Sequence, residues 1–588
     1  MKTQQNAFSG RTLSSPGSAE GEILASEVAL SFWGGVNPST GVVIDSHHPL
    51  AGTSIKGKVL AIPGGRGSCT GSAVTLELFL SGSNPHALIF KREEMILTLG
   101  VIIAQEMFHK TIPVLQVADS TFDMIIHLKK VQIMGNQIQA IDDLCQQPEF
   151  ISTLPILEPD FSSITLTELD RKMLSGAHGK APQFAMRVIL RTALVQGVTE
   201  LIDIKQAHID CCIYTGPAVL EFAQTLRKWG AKVRIPTTLN SISIDRRLWR
   251  VQGVDPAIAE PSELLAQAYL DIGAKASFTC APYQLESAPS LGDNIMWAES
   301  NAVVYANSVL GARTIKCPDF LDVCVALTGR SLNTGCHLTQ HRKAGVEIHC
   351  NAIKGSDDAF FPLLGYLVGD IAADRIAIVT GLEKTVPTTS DLKAFGAAFA
   401  TTSSAPMFHM AGVTVEARSA EEIDAHLEAI PKFEVTRSDL ARQWHLFNVS
   451  GVKEDTPIDL ISLGNPHFSL EEMKTLADLV QNRTKIPSTA LVVACNREIY
   501  TQACRDGLIS TVEAFGGQII TDSCWCMIQE PIIPRKCQTI MTNSAKYAHY
   551  GAGLTGRQMH FGGLAQCAEA ACSGQIQNGL PLWLEETG

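Results

Sequence analysis

A glycine-rich turn near the N-terminus carries residue types that could remove a proton from a substrate. Residues 63–72 read PGGRGSCTGS and lie between the apolar runs 58–62 and 73–78. Glycines let the backbone approach a ligand closely, and successive N–H groups stabilise negative charge. Such a turn could hold an anion, or could support Ser68 as a base with Arg66 beside it. The pattern is equally typical of a simple tight turn.

Four segments farther along the chain concentrate polar and metal-capable side chains where short strands are expected to end. They read AHIDCCIY at 207–214, TTLN at 237–240, FTCAPY at 278–283 with WAESNA at 297–302, and TDSCWC at 521–526. Cysteines this far apart meet only through the fold, which is typical of an iron–sulfur cluster with distributed ligands. Taken singly, each cysteine is better interpreted as a small buried hydrophobe than as a metal ligand. Lys546 could likewise be a solvated surface charge.

The composition limits the kind of protein that must position these side chains. The 588 residues are 45% hydrophobic and 18% charged, which is typical of globular chains with a large interior. A net charge of −12 argues against nucleic acid or an anionic membrane as partner, because both favour clustered Lys and Arg. Neither a membrane span nor a signal peptide is recognisable. We therefore expect a cytoplasmic protein with a small-molecule partner, whose sixteen cysteines are thiols or metal ligands.

Changes in composition and in the pattern of apolar residues along the chain predict the domain organisation. Residues 1–20 are polar and predict a flexible tail, and residues 21–152 alternate short apolar runs with turns, which predicts a small β-rich domain. Residues 153–163 contain two prolines and predict a linker. From 164 to 588 helical patterns alternate with short strands such as ELIDI at 200–204, which predicts a large α/β domain.

Taken together and in this order, the motifs resemble the aconitase X family, a divergent branch of the aconitase superfamily. They are GGRGS at 64–68, TTLN at 237–240, TCAPY at 279–283, WAES at 297–300, NSVLGART at 307–314, GNPHFS at 464–469 and DSC at 522–524. The resemblance covers nearly the whole chain after the tail. It implies a large, multi-lobed, aconitase-like α/β domain that carries an iron–sulfur cluster, with a small swivelling domain at the N-terminus.

Carried over by position, the resemblance also implies roles for individual residues. Ser68 matches the catalytic base on the small domain, and we expect Arg66 and the turn amides to stabilise its alkoxide. Cys280 and Cys524 match cluster ligands. The expected substrate contacts are Cys211, Cys212, Ile213, Asn240, Ser241, Glu299, Ser300 and Lys546.

Two positions depart from the archaeal members of the family. Asn465 stands where they have a third ligand cysteine, and residues 211–213 replace their segment of small residues. Cys526 is our candidate for the third ligand, because it shares a loop with Cys524. The alternatives are Cys350 and Cys495. The cluster could be of either the 2Fe-2S or the 4Fe-4S type.

The fused arrangement, with the small domain first, implies dehydration of cis-3-hydroxy-L-proline to Δ1-pyrroline-2-carboxylate. An iron with an open coordination position would act as a Lewis acid on the leaving hydroxyl while the serine takes the α-proton. Dehydration of another hydroxy acid, phosphorylated or not, such as phosphomevalonate, is an alternative. A non-catalytic metal-binding or redox-sensing protein, using Cys211 and Cys212 or Cys524 and Cys526, is the alternative from another class.

Overall fold

The computed structural model describes residues 7–141, 159–448, 457–576 and 579–585. The chain forms two compact units, each assembled from separate stretches of sequence. The first consists of Met1–Ile204, Thr215–Pro236 and Cys317–Asn333. The second consists of Lys205–Tyr214, Thr237–Lys316 and Thr334–Gly588.

The strands, numbered in chain order, are β1 (Ala7–Ser9), β2 (Arg11–Thr12), β3 (Ser18–Ala25), β4 (Val59–Ile62), β5 (Ala87–Phe90), β6 (Val114–Gln116), β7 (Lys130–Met134), β8 (Gln137–Ala140), β9 (Leu201–Asp203), β10 (Ala207–Ile209), β11 (Thr237–Leu239), β12 (Met296–Trp297), β13 (Arg330–Leu332), β14 (Val346–Cys350), β15 (Ala377–Thr380), β16 (Phe408–Met410), β17 (Lys432–Val435), β18 (Leu460–Phe468), β19 (Ala490–Cys495), β20 (Gly517–Ile520), β21 (Thr539–Thr542) and β22 (Gln558–Phe561).

The α-helices are α1 (Gly71–Ser81), α2 (Ile96–Phe108), α3 (Asp119–Ile125), α4 (Glu168–Leu174), α5 (Lys180–Gln196), α6 (Pro217–Lys228), α7 (Trp249–Gln252), α8 (Pro256–Asp271), α9 (Ser300–Tyr305), α10 (Leu321–Thr328), α11 (Phe360–Ala372), α12 (Thr389–Thr402), α13 (Ala420–Leu427), α14 (Arg437–Phe447), α15 (Leu470–Val480), α16 (Arg497–Arg505), α17 (Leu508–Phe515), α18 (Ala545–Thr555) and α19 (Leu564–Ser573).

An eight-stranded mixed sheet organises the N-terminal part of the first unit. Its order is β1-β8-β7-β3-β4-β5-β6-β2, with β3 to β6 parallel and the outer strands antiparallel. Every residue of β4 and β5 is buried, as expected for apolar strands covered on both faces. The turn with Ser68 therefore follows a fixed central strand and leads directly into α1.

Two expectations for this region are wrong. Residues 7–20 are not a flexible tail, because β1 pairs with β8 and β3 begins at Ser18, while Phe8 packs on the buried core. The region is also less purely β than predicted, since α1 and α2 lie within it. Most residues of both helices are buried, and their few polar residues form no periodic polar face by which a helix would be recognised in sequence. Residues 1–6 lie outside the described part of the chain.

The first unit continues beyond the predicted linker at 153–163, most of which lies outside the described residues. Arg187 and Arg191 on α5 bind Glu106 on α2, at 2.9 and 2.7 Å respectively. Glu77 on α1 accepts a hydrogen bond from the backbone N–H of Ala218 in α6, at 2.8 Å. These bonds join elements on both sides of the linker. The division into domains at that linker stays a prediction.

Parallel sheets with helical connections form the second unit. Their orders are β11-β10-β12, β16-β15-β14-β17 and β20-β19-β18-β21-β22, and the recorded pairings are all parallel. The predicted α/β character of this part of the chain is thus observed. Within the described residues, no helix is both long enough and apolar enough to cross a membrane.

Candidate active site

Three parallel strands of the second unit end side by side and bring polar side chains together. β10 pairs with both β11 and β12, so their carboxyl ends share one edge of the sheet. Asp210, Asn240 and Glu299 each follow one of these strands within two residues. The carboxyl ends of parallel strands are where open α/β sheets hold ligands.

Glu299 is the centre of a buried polar network. Its carboxylate accepts hydrogen bonds from Asn240 Nδ2 at 3.0 Å and from Asn301 Nδ2 at 2.6 Å. Lys546 Nζ donates to the same carboxylate at 2.9 Å. Asn240 Nδ2 also donates to Asp210. The network holds the carboxylate in one orientation at the end of the sheet.

Lys546 reaches this network from the first turn of α18, which follows β21 of the five-stranded sheet. Burial disfavours its ammonium, but Glu299 and the thiols of Cys526, Cys524 and Cys280 raise the pKa of Lys546 well above its usual value. Burial likewise opposes ionisation of Glu299, but Lys546 and the amide donors outweigh burial and lower the pKa of Glu299. The two side chains therefore form a buried ion pair with nearly no net charge.

The structure brings together the three cysteines proposed as cluster ligands. The thiol of Cys524 forms hydrogen bonds with those of Cys280 and Cys526, and all three side chains are buried. The two alternative cysteines lie elsewhere. Cys350 ends β14 in the four-stranded sheet, and Cys495 ends β19, where the charged groups near it are Arg247, Asp245 and Asp522. The geometry therefore favours Cys526 as the third thiol.

Protons are shared unequally among the three thiols. The hydrogen bonds to its two neighbours raise the pKa of Cys524 well above the usual range. Burial disfavours the Cys280 thiolate, but the bond from Cys524 and the nearby His467 lower the pKa of Cys280. The bond from Cys524 also lowers the pKa of Cys526. The single S–H hydrogen of Cys524 thus lies between two sulfurs that favour the thiolate.

Within the described ranges, no group of three or more His, Cys, Asp or Glu side chains is arranged to hold a metal ion as it stands. The chemistry of the donor set nevertheless fits an iron–sulfur cluster, because three converging thiols, two of them with lowered pKa, are the ligands that iron–sulfur clusters use.

The carboxyl end of β18 contacts the two loops that carry the cysteines. His467, at this strand end, was not predicted as a site residue. The backbone N–H of His467 donates to Cys280 Sγ at 3.3 Å. The His467 ring lies 3.1 Å from Thr279 Oγ1 and 2.8 Å from the Ser523 carbonyl oxygen. His467 therefore ties both loops together. The sequence signal that could have identified His467 is its position in the GNPHFS motif at 464–469.

The remaining predicted substrate residues of the second unit lie around this network. Cys212 Sγ donates to the Asn240 carbonyl at 3.1 Å, and Ser300 Oγ donates to Glu299 at 3.4 Å. Ser241 is fully buried, and its Oγ has no hydrogen-bond partner among the described residues. A buried hydroxyl without a partner is costly unless something else binds it. The other two predicted residues, Cys211 and Ile213, are buried beside Cys212.

The predicted base lies in the first unit, on the turn before α1. Ser68 is 7% exposed, and its Oγ accepts a hydrogen bond from the Thr70 N–H at 3.3 Å. The same oxygen donates to Thr70 Oγ1 at 3.1 Å. Gly67 has a φ of +75°, which favours glycine at this sharp turn. A backbone amide thus supports the serine oxygen.

Arg66 forms an ion pair in the structure, and its expected role in supporting Ser68 stays a prediction. Arg66 Nη2 donates to Asp45 Oδ2 at 2.9 Å, while the bonds of the Ser68 hydroxyl go to Thr70. A buried carboxylate is a strong partner for a guanidinium, because their attraction offsets part of the cost of burying the two charges. Arg66 therefore holds the turn to a neighbouring loop.

Comparison with known proteins identifies the family. Family models match residues 7–141, described as the aconitase X swivel domain, and 163–340, 343–445 and 458–573, described as its first, second and third domains. The chain belongs to the aconitase X family. The predicted family and its α/β fold are confirmed, and the swivel-domain match begins inside the segment predicted as a tail.

Individual members of the aconitase X family are similar over most of their length. The chain is 51% identical over 569 residues to the cis-3-hydroxy-L-proline dehydratase of Hypocrea jecorina. The matched region covers 96% of this chain and 95% of that relative. It is 48% identical over 570 residues to the enzyme of the same name from Pseudomonas aeruginosa, with 97% of each chain covered.

More distant members of the family match only part of the chain. The large subunit of phosphomevalonate dehydratase from Methanothermobacter thermautotrophicus is 32% identical over 397 residues, which is 67% of this chain and 95% of that subunit. The solved structure of Thermococcus kodakaraensis aconitase X in its holo form has a TM-score of 0.62 at 30% identity, and covers 69% of this chain and 100% of its own.

Proposed function

We propose that this protein is a hydro-lyase that dehydrates cis-3-hydroxy-L-proline to Δ1-pyrroline-2-carboxylate. The observation that carries the proposal is the full-length identity of about half to two relatives that bear this activity in their names. The buried ion pair of Lys546 and Glu299 lies beside three thiols, and together these groups could bind the substrate and a metal cofactor.

The charges of the site suit this substrate. The hydroxyproline carries one carboxylate and one ring ammonium, so its net charge is zero, like that of the Lys546–Glu299 pair. Lys546 would bind the carboxylate and stabilise it as negative charge develops at the α-carbon. Glu299 would accept from the ring ammonium, with Asn240, Ser241 and Ser300 around it.

A phosphorylated substrate would suit this pair less well. A phosphate brings additional negative charge that needs Arg or Lys partners of its own, whereas Lys546, the cation of this pair, is already assigned to the substrate carboxylate. The relatives named for phosphomevalonate are also more distant and match about two thirds of the chain. Both observations favour an unphosphorylated substrate.

We propose that Cys280, Cys524 and Cys526 hold an iron–sulfur cluster. Three protein ligands would leave one coordination position for the substrate. When bound, the cluster supplies a Lewis acid for departure of the hydroxyl as water. Lys546 lies close enough to stabilise the negative charge of the three thiolates.

Ser68 is the proposed base for the α-proton. Its Oγ accepts the Thr70 N–H and lies just before α1, and the positive end of a helix dipole favours an alkoxide. Loss of the α-proton and the β-hydroxyl yields an enamine and one water. The enamine then tautomerises to the imine without any change in oxidation state.

Burial of the thiols argues against a redox sensor as the main function. Cys212 is fully buried and donates to backbone carbonyls, and Cys524 and Cys526 are 3% and 8% exposed. Thiols that exchange with partners need access. None of the fifteen cysteines in the described residues forms a disulfide. The cytoplasm remains the proposed location, because thiols stay reduced there.

The test is turnover by protein purified without oxygen, with iron and acid-labile sulfide measured in the same sample. We expect both elements, and conversion of cis-3-hydroxy-L-proline followed by proton NMR. Trans-4-hydroxy-L-proline and phosphomevalonate are the comparison substrates. Cluster-loaded protein that leaves cis-3-hydroxy-L-proline unchanged would contradict the proposal.

A further inference from the structure

Asn465 occupies an unusual place at the carboxyl end of β18. The pairing of β18 with β19 shifts register between Leu463 and Phe468, so the segment bulges there. Gly464 at the start of the bulge has a φ of +92°, and an added Cβ would lie 2.1 Å from the Ala494 carbonyl oxygen. The bulge re-aims the side chain that follows it.

The Asn465 side chain donates to sulfur rather than to oxygen. Its Nδ2 lies 3.2 Å from Cys526 Sγ and 3.5 Å from Cys524 Sγ, and a side-chain amide has two hydrogens to give. The backbone N–H of His467 donates to Cys280 Sγ at 3.3 Å. One strand end thus provides an N–H donor to each of the three sulfurs.

The other end of the same amide lacks a partner. Asn465 is 5% exposed, and its Oδ1 has no hydrogen bond among the described residues. Burying an amide oxygen without a partner is costly, so the orientation is maintained by what Nδ2 binds. A neutral amide oxygen is also a poor ligand for iron beside thiolates. The geometry points to a role through the sulfurs.

We propose that Asn465 is a positioning residue for the iron–sulfur centre, donating N–H···S hydrogen bonds to two of its three ligand sulfurs and thereby setting its reduction potential and its retention. The inference rests on the proposed function. Hydrogen bonds to ligand sulfurs spread the negative charge of the thiolates, which stabilises the reduced state and raises the potential.

The test compares Asn465→Asp, which keeps the shape and loses both donors, with Asn465→Ala, which removes the side chain. Asn496→Asp is the matched control, because Asn496 caps α16 after the neighbouring strand and Asp caps equally well. Each protein is purified anaerobically, its iron and sulfide are measured, and its midpoint potential is determined by dye-mediated titration.

We expect both Asn465 variants to have a lower midpoint potential than wild type, and to release iron to a chelator about tenfold faster. Asn496→Asp should match wild type in both respects. Wild type without iron and sulfide would overturn the inference together with the proposed cofactor. Cluster-loaded variants with unchanged potential and iron release would overturn the inference alone, as would an equal shift in Asn496→Asp. If Asn465→Asp does not fold, Asn465→Ala decides.

Discussion

At the scale of single residues, the three thiols of the site are distinguished by their partners rather than by their type. The thiol of Cys524 bonds to both of the other thiols. Cys280 receives the backbone N–H of His467, and Cys526 and Cys524 share the side-chain amide of Asn465. Losing any one of them would leave the proposed cluster with two protein ligands. Each is therefore expected to matter equally.

Cys526→Ser should lose the cluster and the activity as fully as Cys280→Ser or Cys524→Ser. The reason is that a three-ligand centre has no spare thiol to replace the missing one. The measurement is visible absorbance with iron and sulfide content. Cys495→Ser is the control, because this buried thiol has its charged neighbours elsewhere. A brown, iron-loaded Cys526→Ser protein would exclude Cys526 as a ligand.

Ser68→Ala should keep its iron while kcat falls by about 10²–10⁴, the usual contribution of a general base. Exchange of the substrate α-deuterium with solvent should stop. Ser72 is the control: its Oγ donates to the Cys69 carbonyl at 3.0 Å, so Ser72→Ala should cost about 1 kcal/mol of stability and leave exchange intact. Normal exchange in Ser68→Ala would show that the base lies elsewhere.

The Lys546–Glu299 pair should be strongly coupled. Lys546→Met leaves a buried carboxylate without its cation, which we expect to destabilise the fold by about 3–5 kcal/mol. Combining it with Glu299→Gln removes that charge, so the double variant should be more stable than Lys546→Met alone. Urea unfolding midpoints measure the difference. Additive effects of the two substitutions would argue against the ion pair.

At the scale of elements, the second unit places its site where parallel strands end. β10, β11 and β12 deliver Asp210, Asn240 and Glu299, and an isolated bridge between Ile242 and Ser523 joins their loops to those of the five-stranded sheet. Two sheets thus contribute to one group of side chains. The bulge in β18 is the element on which the thiol loops depend.

Gly464→Ala should therefore damage the site from within the sheet. The φ of +92° and a Cβ 2.1 Å from a backbone oxygen leave no room for a methyl group. We expect lower thermal stability and reduced iron content. Gly556→Ala is the control, since its φ of +67° meets open space and should cost only about 1 kcal/mol. Equal iron content and melting temperature in Gly464→Ala and wild type would contradict this account.

At the scale of the whole molecule, stability should depend on pH through Glu94. Burial raises the pKa of Glu94 to about 7, against the hydrogen bonds it accepts at the start of α2. The folded state therefore binds this proton more tightly than the unfolded chain. The resulting stabilisation is complete below pH 4.5, declines as pH rises towards 7, and is absent above it.

Glu94→Gln should flatten this dependence, because the amide keeps an acceptor for the helix and has no proton to lose. The lost stabilisation is on the order of 3 kcal/mol. The measurement is the urea midpoint of unfolding at pH values from 4.5 to 8.5. The midpoint of wild type should fall as pH rises through the pKa of Glu94, while that of Glu94→Gln should change little. Glu93→Gln is the control, since Glu93 is exposed. Parallel curves for wild type and Glu94→Gln would refute the assignment.

The sequence by itself determined the family, the α/β character and the strand-end motifs, because these depend on local patterns and on motif order. Asn240, Glu299 and Lys546 were recognisable in this way, as were Cys280 and Cys524. The segment 7–20 and the apolar helices α1 and α2 were not, because strand pairing and burial on all sides leave no local signal.

Only the tertiary structure decided which of the chemically equivalent candidates come together. The sequence favours Cys526 only because it shares a loop with Cys524. The structure brings its thiol together with those of Cys524 and Cys280, whereas Cys350 ends a strand of another sheet and Cys495 has its charged neighbours elsewhere. The partner of Arg66 is Asp45 because burial rewards an ion pair, which no spacing reveals. Contacts across hundreds of residues arise when parallel strands align their carboxyl ends, and that alignment is a property of the folded sheets alone.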